Sequence, residues 1–204
     1  MAAPWDHLAA ADADIGAVLE EIGPPPPRDR DPGLDALIGI VMDQQISKAA
    51  GAAIKARLDA HWDTPSPAAI DATSDAAFQA IGLSRPKIAT LRALASAIGS
   101  GSLDLESLAT IPEADAFEQL TAVKGIGRWT AEIYLMFALG RHDVWPAQDL
   151  ALQNAMRAAK RLDGRPDVKT MDRLGEPLRP HRSAAALLLW RYHRHLRGID
   201  LALP

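Results

Sequence analysis

VKGIGRWTAEIY, residues 123 to 134, sets Gly125 and Gly127 one residue apart at the head of a run that reads as a buried helix starting at Arg128. Glycine enters positive φ without steric cost and lets another backbone come close where a Cβ would obstruct. The unpaired N–H groups of a helix start, with the positive end of its dipole, form an anion site, and Lys124 places a further charge beside this one. A tight turn with no ligand uses the same glycines. The longer string L-x-x-V-x-G-I-G, beginning at Leu120, is what carries the anion-binding reading.

Outward from this hairpin the chain is patterned for helices. Residues 5–22 form an amphipathic segment stopped by Gly23 and the run Pro24 to Pro27, where proline fixes φ and removes a donor. The stretch DPGLDALIGIVMDQQISKAAGAAIKARLDAH, starting near Asp31 or Gly33, is helical with one break. Further helices are expected around 66–80, 85–99, 112–121, 128–140, 149–162, 167–175 and 181–197. Ser66-Pro67, Ser74-Asp75, Ser84-Arg85-Pro86, Pro112-Glu113 and Pro180 mark starts. Strand alternation is nowhere sustained. The pattern predicts an all-α protein forming a single unit over 1–204.

Composition bounds the function. A chain of 204 residues is one domain or two small lobes. The absence of cysteine excludes an iron–sulfur cluster, thiolate zinc and a thiol nucleophile. The opening MAAPWDHLAAADADIG has no basic-then-apolar succession, and no run is long and apolar enough to span a bilayer, so a cytoplasmic protein with no membrane partner is expected. The formal charge of −4 hides an asymmetry: residues 1–110 carry 8 Lys/Arg against 15 Asp/Glu, whereas 155–197 carry 11 against 4. That basic end is a phosphate-attracting patch or a solvated helix face. His7, His61, His142, His181, His193 and His195 show no metal-ligand spacing, and no phosphate-loop motif occurs.

Asp149, in VWPAQDLALQNAMRAAKRL, stands directly before an apolar, arginine-spaced helical run. That is the place of an N-cap, worth roughly 1 kcal/mol. A cap carboxylate is held charged by the amides that donate to it and by the helix dipole. Such a group suits electrostatic or base catalysis and makes a poor general acid.

Residues 120–157, LTAVKGIGRWTAEIYLMFALGRHDVWPAQDLALQNAMR, resemble the hairpin and downstream aspartate of the helix-hairpin-helix DNA glycosylase superfamily. IVMDQQISKAAG, residues 40–51, resembles its Q-Q-x-S segment, and LRPHRSAAALLLWRY, residues 178–192, its P-x-R-S-x-A stretch followed by an aromatic. GLSRPKIATLRALA, residues 82–95, resembles the family's loop before the next helix and is read as structural. The resemblance implies two helical lobes with a cleft between them, one over 34–110 and one from 1–23 plus 111–204. It implies a monomer that binds damaged double-stranded DNA.

Residue roles follow from the same resemblance. The hairpin amides at Gly125 and Gly127, with Lys124 and Arg128, would hold a DNA phosphate, and the carbonyls of Thr121, Val123 and Ile126 a monovalent cation. Trp129 stands where lyase-competent members carry a Schiff-base lysine; an indole forms no imine, which points to the monofunctional branch, of the 3-methyladenine DNA glycosylase II type, with no cofactor required. Asp149 would stabilise the oxocarbenium-like sugar and orient or deprotonate the attacking water. Trp129 and Trp190, with Tyr134 one place off a family aromatic, would stack a cationic base, at roughly 0.5 to 2 kcal/mol per contact; the alternative is that these rings are core. Gln45 would fill the gap left by an extruded nucleotide, with Gln44, Ser47, Arg182 and Ser183 contacting DNA nearby. Ile133, Leu150 and His181 stand where family members often carry further aromatics. The implied activity is release of alkylated purines such as 3-methyladenine and 7-methylguanine. A glycosylase for a deaminated or oxidised base, and a non-catalytic DNA-binding module, are the alternatives.

Overall fold

A computed structural model describes residues 4–26 and 31–199; Pro27, the last of the proline run, lies outside them. Among the described residues every regular element is helical. Helices α1 (Pro4–Ala11) and α2 (Ala13–Ile22) replace the single segment expected over 5–22. The division falls at Asp12, whose carboxylate accepts the N–H groups of Asp14 at 3.1 Å and Ile15 at 3.2 Å and so caps a new helix.

Residues 30–139 form one compact unit. It holds α3 (Leu34–Asp43), α4 (Lys48–His61), α5 (Pro67–Ala72), α6 (Asp75–Ile81), α7 (Arg85–Gly99), α8 (Glu113–Ala122) and α9 (Arg128–Phe137). The expected break in the long second stretch falls at Gln44–Ser47. Ser66 and Ser74 cap α5 and α6 through their hydroxyls. Helix α3, LDALIGIVMD, is apolar nearly all round, as a central helix must be, and packs against α4, α7 and α9. Leu37, Val41 and Met42 on it are wholly buried.

The second unit comprises residues 1–29 and 140–204. To α1 and α2 it adds α10 (Leu150–Ala159), α11 (Val168–Gly175) and α12 (Arg182–Leu196). Helix α12 packs on α10 and α2, and Leu152, Met156, Leu188 and Leu189 are fully enclosed. Lys160 at the end of α10 bridges Asp12 at 2.5 Å and Asp14 at 3.0 Å, tying the terminal segments of the chain together.

The expected division, 34–110 against 1–23 plus 111–204, is therefore corrected. The segment 111–139 belongs with the central helices, because α9 packs against α3 within that unit. The boundary moves to Gly140, which adopts φ +63° just after α9. No described helix is long and apolar enough to cross a membrane.

Candidate nucleic-acid interface and active site

In the hairpin the two glycines serve different ends. The turn closes through the Ile126 N–H donating to the Val123 carbonyl at 3.0 Å, and Gly125 sits at φ +91°. A Cβ on Gly125 would lie 1.9 Å from Thr90 Oγ1 of α7, whereas one on Gly127 would meet nothing within 4 Å. Gly125 is thus demanded by conformation and by contact. Gly127 precedes α9 in extended conformation, with φ −91°. Both glycines and Lys124 are exposed, and no described protein acceptor meets the N–H of Gly125 or Gly127. Arg128 donates along α9 to the buried Glu132 at 2.8 Å while its own side chain stays one-third exposed. These groups form an open, cationic helix start of the kind that takes a phosphate. Thr90, within the segment read as structural, is the floor on which the turn rests.

Tyr134 does not join a base pocket. It is 0 % exposed, and its hydroxyl accepts the Gly33 N–H at 2.9 Å. At 100° per residue it lies about 140° around α9 from Trp129, which faces a partly open surface. Burial raises the phenol's pKa against the opposing effect of the Gly33 amide. Tyr134→Phe is expected to lower unfolding free energy by about 1 to 2 kcal/mol, measured by denaturant titration, and to leave base preference unchanged.

The Q-Q-x-S segment divides in the same way. Gln44 ends α3, and its Nε2 donates to the Gly125 carbonyl at 3.2 Å and to Thr130 Oγ1 at 2.8 Å, so it secures the loop to the hairpin. Ser47 caps α4, accepting the Ala50 N–H at 3.3 Å. Gln45 is exposed and adopts φ +58°, a left-handed conformation uncommon for a side-chain-bearing residue. Ile46 beside it is 40 % exposed. Sequence reasoning missed Lys87: it is 8 % exposed, and its ammonium donates to the Met42 carbonyl at 2.6 Å, near the end of α3. Burial pushes its pKa down, against the opposing charge of Asp43. Its place in the stripe Lys87, Leu91, Leu94 was the available signal.

Asp149 is seated at the N-terminus of α10, half-exposed. Its Oδ1 accepts two hydrogen bonds at 2.9 Å, from the Leu152 N–H and from the Trp190 indole N–H of α12. The expected cap and the expected catalytic group are the same carboxylate, and Trp190, partly open itself, is brought directly onto it. His193, one turn further along α12, feels the same carboxylate. Burial and then Arg197 lower its pKa, and Asp149 opposes them.

The strand of loop leading to Asp149 is held throughout. Trp145 is 2 % exposed and donates from its indole to the Met171 carbonyl at 2.9 Å. It packs so closely on Gly175 that a Cβ there would lie 2.7 Å from its Nε1. The buried Gln153 donates to the Ala147 carbonyl at 2.8 Å. Arg182 and Ser183, expected at DNA, are corrected to this role. Arg182 donates from Nε to Asp143 at 2.8 Å, with only 12 % of its side chain exposed. The buried Ser183 hydroxyl donates to the Arg141 carbonyl at 2.7 Å and accepts the Val144 N–H at 3.0 Å, which commits its one proton within the protein rather than to a phosphate.

A helix-hairpin-helix with an exposed glycine turn, followed by a capping aspartate, defines a class, and the chain belongs to it: the HhH-GPD superfamily of base excision DNA repair proteins, whose family model matches residues 38–180. The chain is similar to DNA-3-methyladenine glycosylase 1 of Schizosaccharomyces pombe, at 32 % identity over 91 % of this chain and 84 % of that protein. Its fold is similar to the solved structure of S. pombe 3-methyladenine DNA glycosylase (Mag1) in complex with abasic DNA, with a TM-score of 0.87, covering 92 % of this chain and 95 % of that one. It is also similar to a DNA-3-methyladenine glycosidase from Bacillus halodurans, with a TM-score of 0.78 at 29 % identity, covering 96 % and 91 %.

Proposed function

We infer that this protein is a monofunctional DNA glycosylase of base excision repair that releases alkylated purines, 3-methyladenine and 7-methylguanine among them, and leaves an abasic site. The observation that carries the reading is Asp149: a half-exposed carboxylate oriented by the Leu152 amide and the Trp190 indole. Similar proteins over most of the chain are named for 3-methyladenine release, and one of them was solved on abasic DNA.

The chemistry follows from charge. As the C1′–N bond breaks, its electron pair leaves with the base, and an alkylated purinium departs neutral, so no general acid is required. The sugar becomes oxocarbenium-like, and the fixed anion stabilises a charge that the ground state lacks. Water then bonds to C1′, and its proton passes to Asp149 or to solvent. Trp129 offers no amine for an imine, so the route ends at hydrolysis. The partly exposed indole of Trp190, bonded to Asp149, is a surface for an electron-poor base, and the partly exposed Trp129 is a candidate of the same kind on its own unit; the exposed Gln45 is the side chain for the vacated stack.

A monovalent cation remains part of the reading, with no cofactor required for the bond cleavage. Thr121 lies in the last turn of α8, and Val123 and Ile126 bound the turn that follows it, whose closing bond takes a single lone pair of the Val123 oxygen. Such carbonyls suit a hard monovalent ion and would supply positive charge near a phosphate. We read the protein as a monomer acting in the cytoplasm, on damaged duplex DNA.

The test is a single-turnover panel of duplexes carrying 3-methyladenine analogues, 7-methylguanine, 1,N6-ethenoadenine, hypoxanthine, uracil and 8-oxoguanine. Release of the alkylated purines is expected. Release of a non-alkylated base alone would remove the substrate assignment, and no release of any base would leave a DNA-binding module.

A further inference from the structure

We propose that Lys87 and Thr90, one turn apart on α7, brace the wedge loop and the phosphate hairpin against each other, making Lys87 a positioning residue for nucleotide extrusion. The inference rests on the glycosylase reading above.

Lys87 reaches the Met42 carbonyl, two residues before Gln44, and places a cation at the negative end of α3. Three residues on, along the same face of α7, Thr90 lies under Gly125, nearer than any added Cβ could tolerate. Gln44 closes the triangle by donating to Gly125 and Thr130. Helix α4 presses on the same end of α3, since a Cβ on Gly51 would meet Asp43 Oδ1 at 2.5 Å and the Met42 oxygen at 3.2 Å. The loop 44–47 is therefore held on three sides, and Gln45 keeps its φ of +58° inside that frame. A left-handed non-glycine residue persists where its surroundings impose it, and such residues gather at functional sites.

Extruding a nucleotide needs a push into the stack and a grip on the backbone, applied at a constant separation. Gln45 and the Gly125–Gly127 amides are the two ends of that tool. A buried ammonium spent on one main-chain oxygen touches neither end and sets the spacing between them.

Lys87→Met keeps the stem and removes the donor. Amide hydrogen exchange is expected to accelerate at 43–47 and 124–130 while α5 and α6 keep their protection. Single-turnover release of an alkylated purine from a duplex should fall by about ten-fold, since small misplacements cost rate steeply. From the same lesion in a single strand, where no paired stack must be opened, it should change by less than about two-fold. Gln44→Leu, at a half-buried position, should move both readouts the same way and covers the case in which Lys87→Met does not fold. Equal losses on duplex and single strand, or unchanged exchange at 43–47 in a folded variant, would overturn the bracing role. Absence of release by the unaltered protein would instead sink the glycosylase reading, and the exchange data would still decide the bracing.

Discussion

Asp149→Asn is expected to reduce base release by at least about 10²-fold, a loss of roughly 2.7 kcal/mol of transition-state stabilisation or more. An asparagine carbonyl can still accept from the Leu152 amide and the Trp190 indole, the two donors now on Oδ1, and asparagine caps helices about as well as aspartate. Fold and cap therefore survive while the negative charge is lost. Affinity for a duplex containing an abasic site should stay within a few-fold, because the proposed phosphate contacts are on the hairpin and not at Asp149. Single-turnover kinetics beside a binding titration separates the two effects, and an undiminished rate would refute the assigned role. Asp149→Ala is the less informative variant, since it also gives up the cap.

Gly125→Ala and Gly127→Ala should diverge sharply. The first puts a Cβ into Thr90 at 1.9 Å and forces a side chain into φ +91°. The backbone cost is about 1 to 2 kcal/mol, and crowding adds about 1 to 3 kcal/mol. The alternative to bearing that cost is to lift the turn off α7, which carries the phosphate amides with it. Stability and duplex affinity should fall together. Gly127→Ala meets no neighbour and an ordinary φ, so its cost should stay within about 1 kcal/mol. Thermal unfolding and a salt-dependent binding titration check both; equal effects at the two positions would contradict the described hairpin.

Much of this was legible in the sequence, for physical reasons that also mark where legibility stops. Helix existence, a single break in the long second stretch and the seat of Asp149 all follow from local signals: apolar period, capping residues and glycine; where that break falls, at Gln44–Ser47, came from the structure. The split at Asp12 was hidden because the apolar period runs across it and only the carboxylate's choice of amides reveals it. Tyr134 was misjudged by one position, and on a helix one position is 100° of rotation, enough to turn a ring from open surface to interior. Arg182 and Ser183 match the family motif, yet their partners at Asp143 and Val144 lie some 39 residues earlier in the chain, a separation no local pattern bridges. Lys87 was not singled out: its apolar stripe hints at burial, but nothing nearby in sequence announces the Met42 oxygen to which it donates. The same blindness to distant contacts put 111–139 with the wrong helices.

The scaffold behind Asp149 also bears on how this protein can fail. Trp145, Gln153 and Ser183 are buried, and their hydrogen bonds to the carbonyls of Met171, Ala147 and Arg141 hold the 141–147 approach, so the carboxylate takes its bearing when the chain folds. A substitution at Gln153 or Ser183 is therefore expected to misaim that carboxylate while leaving the glycine turn, built within the other unit, as it is.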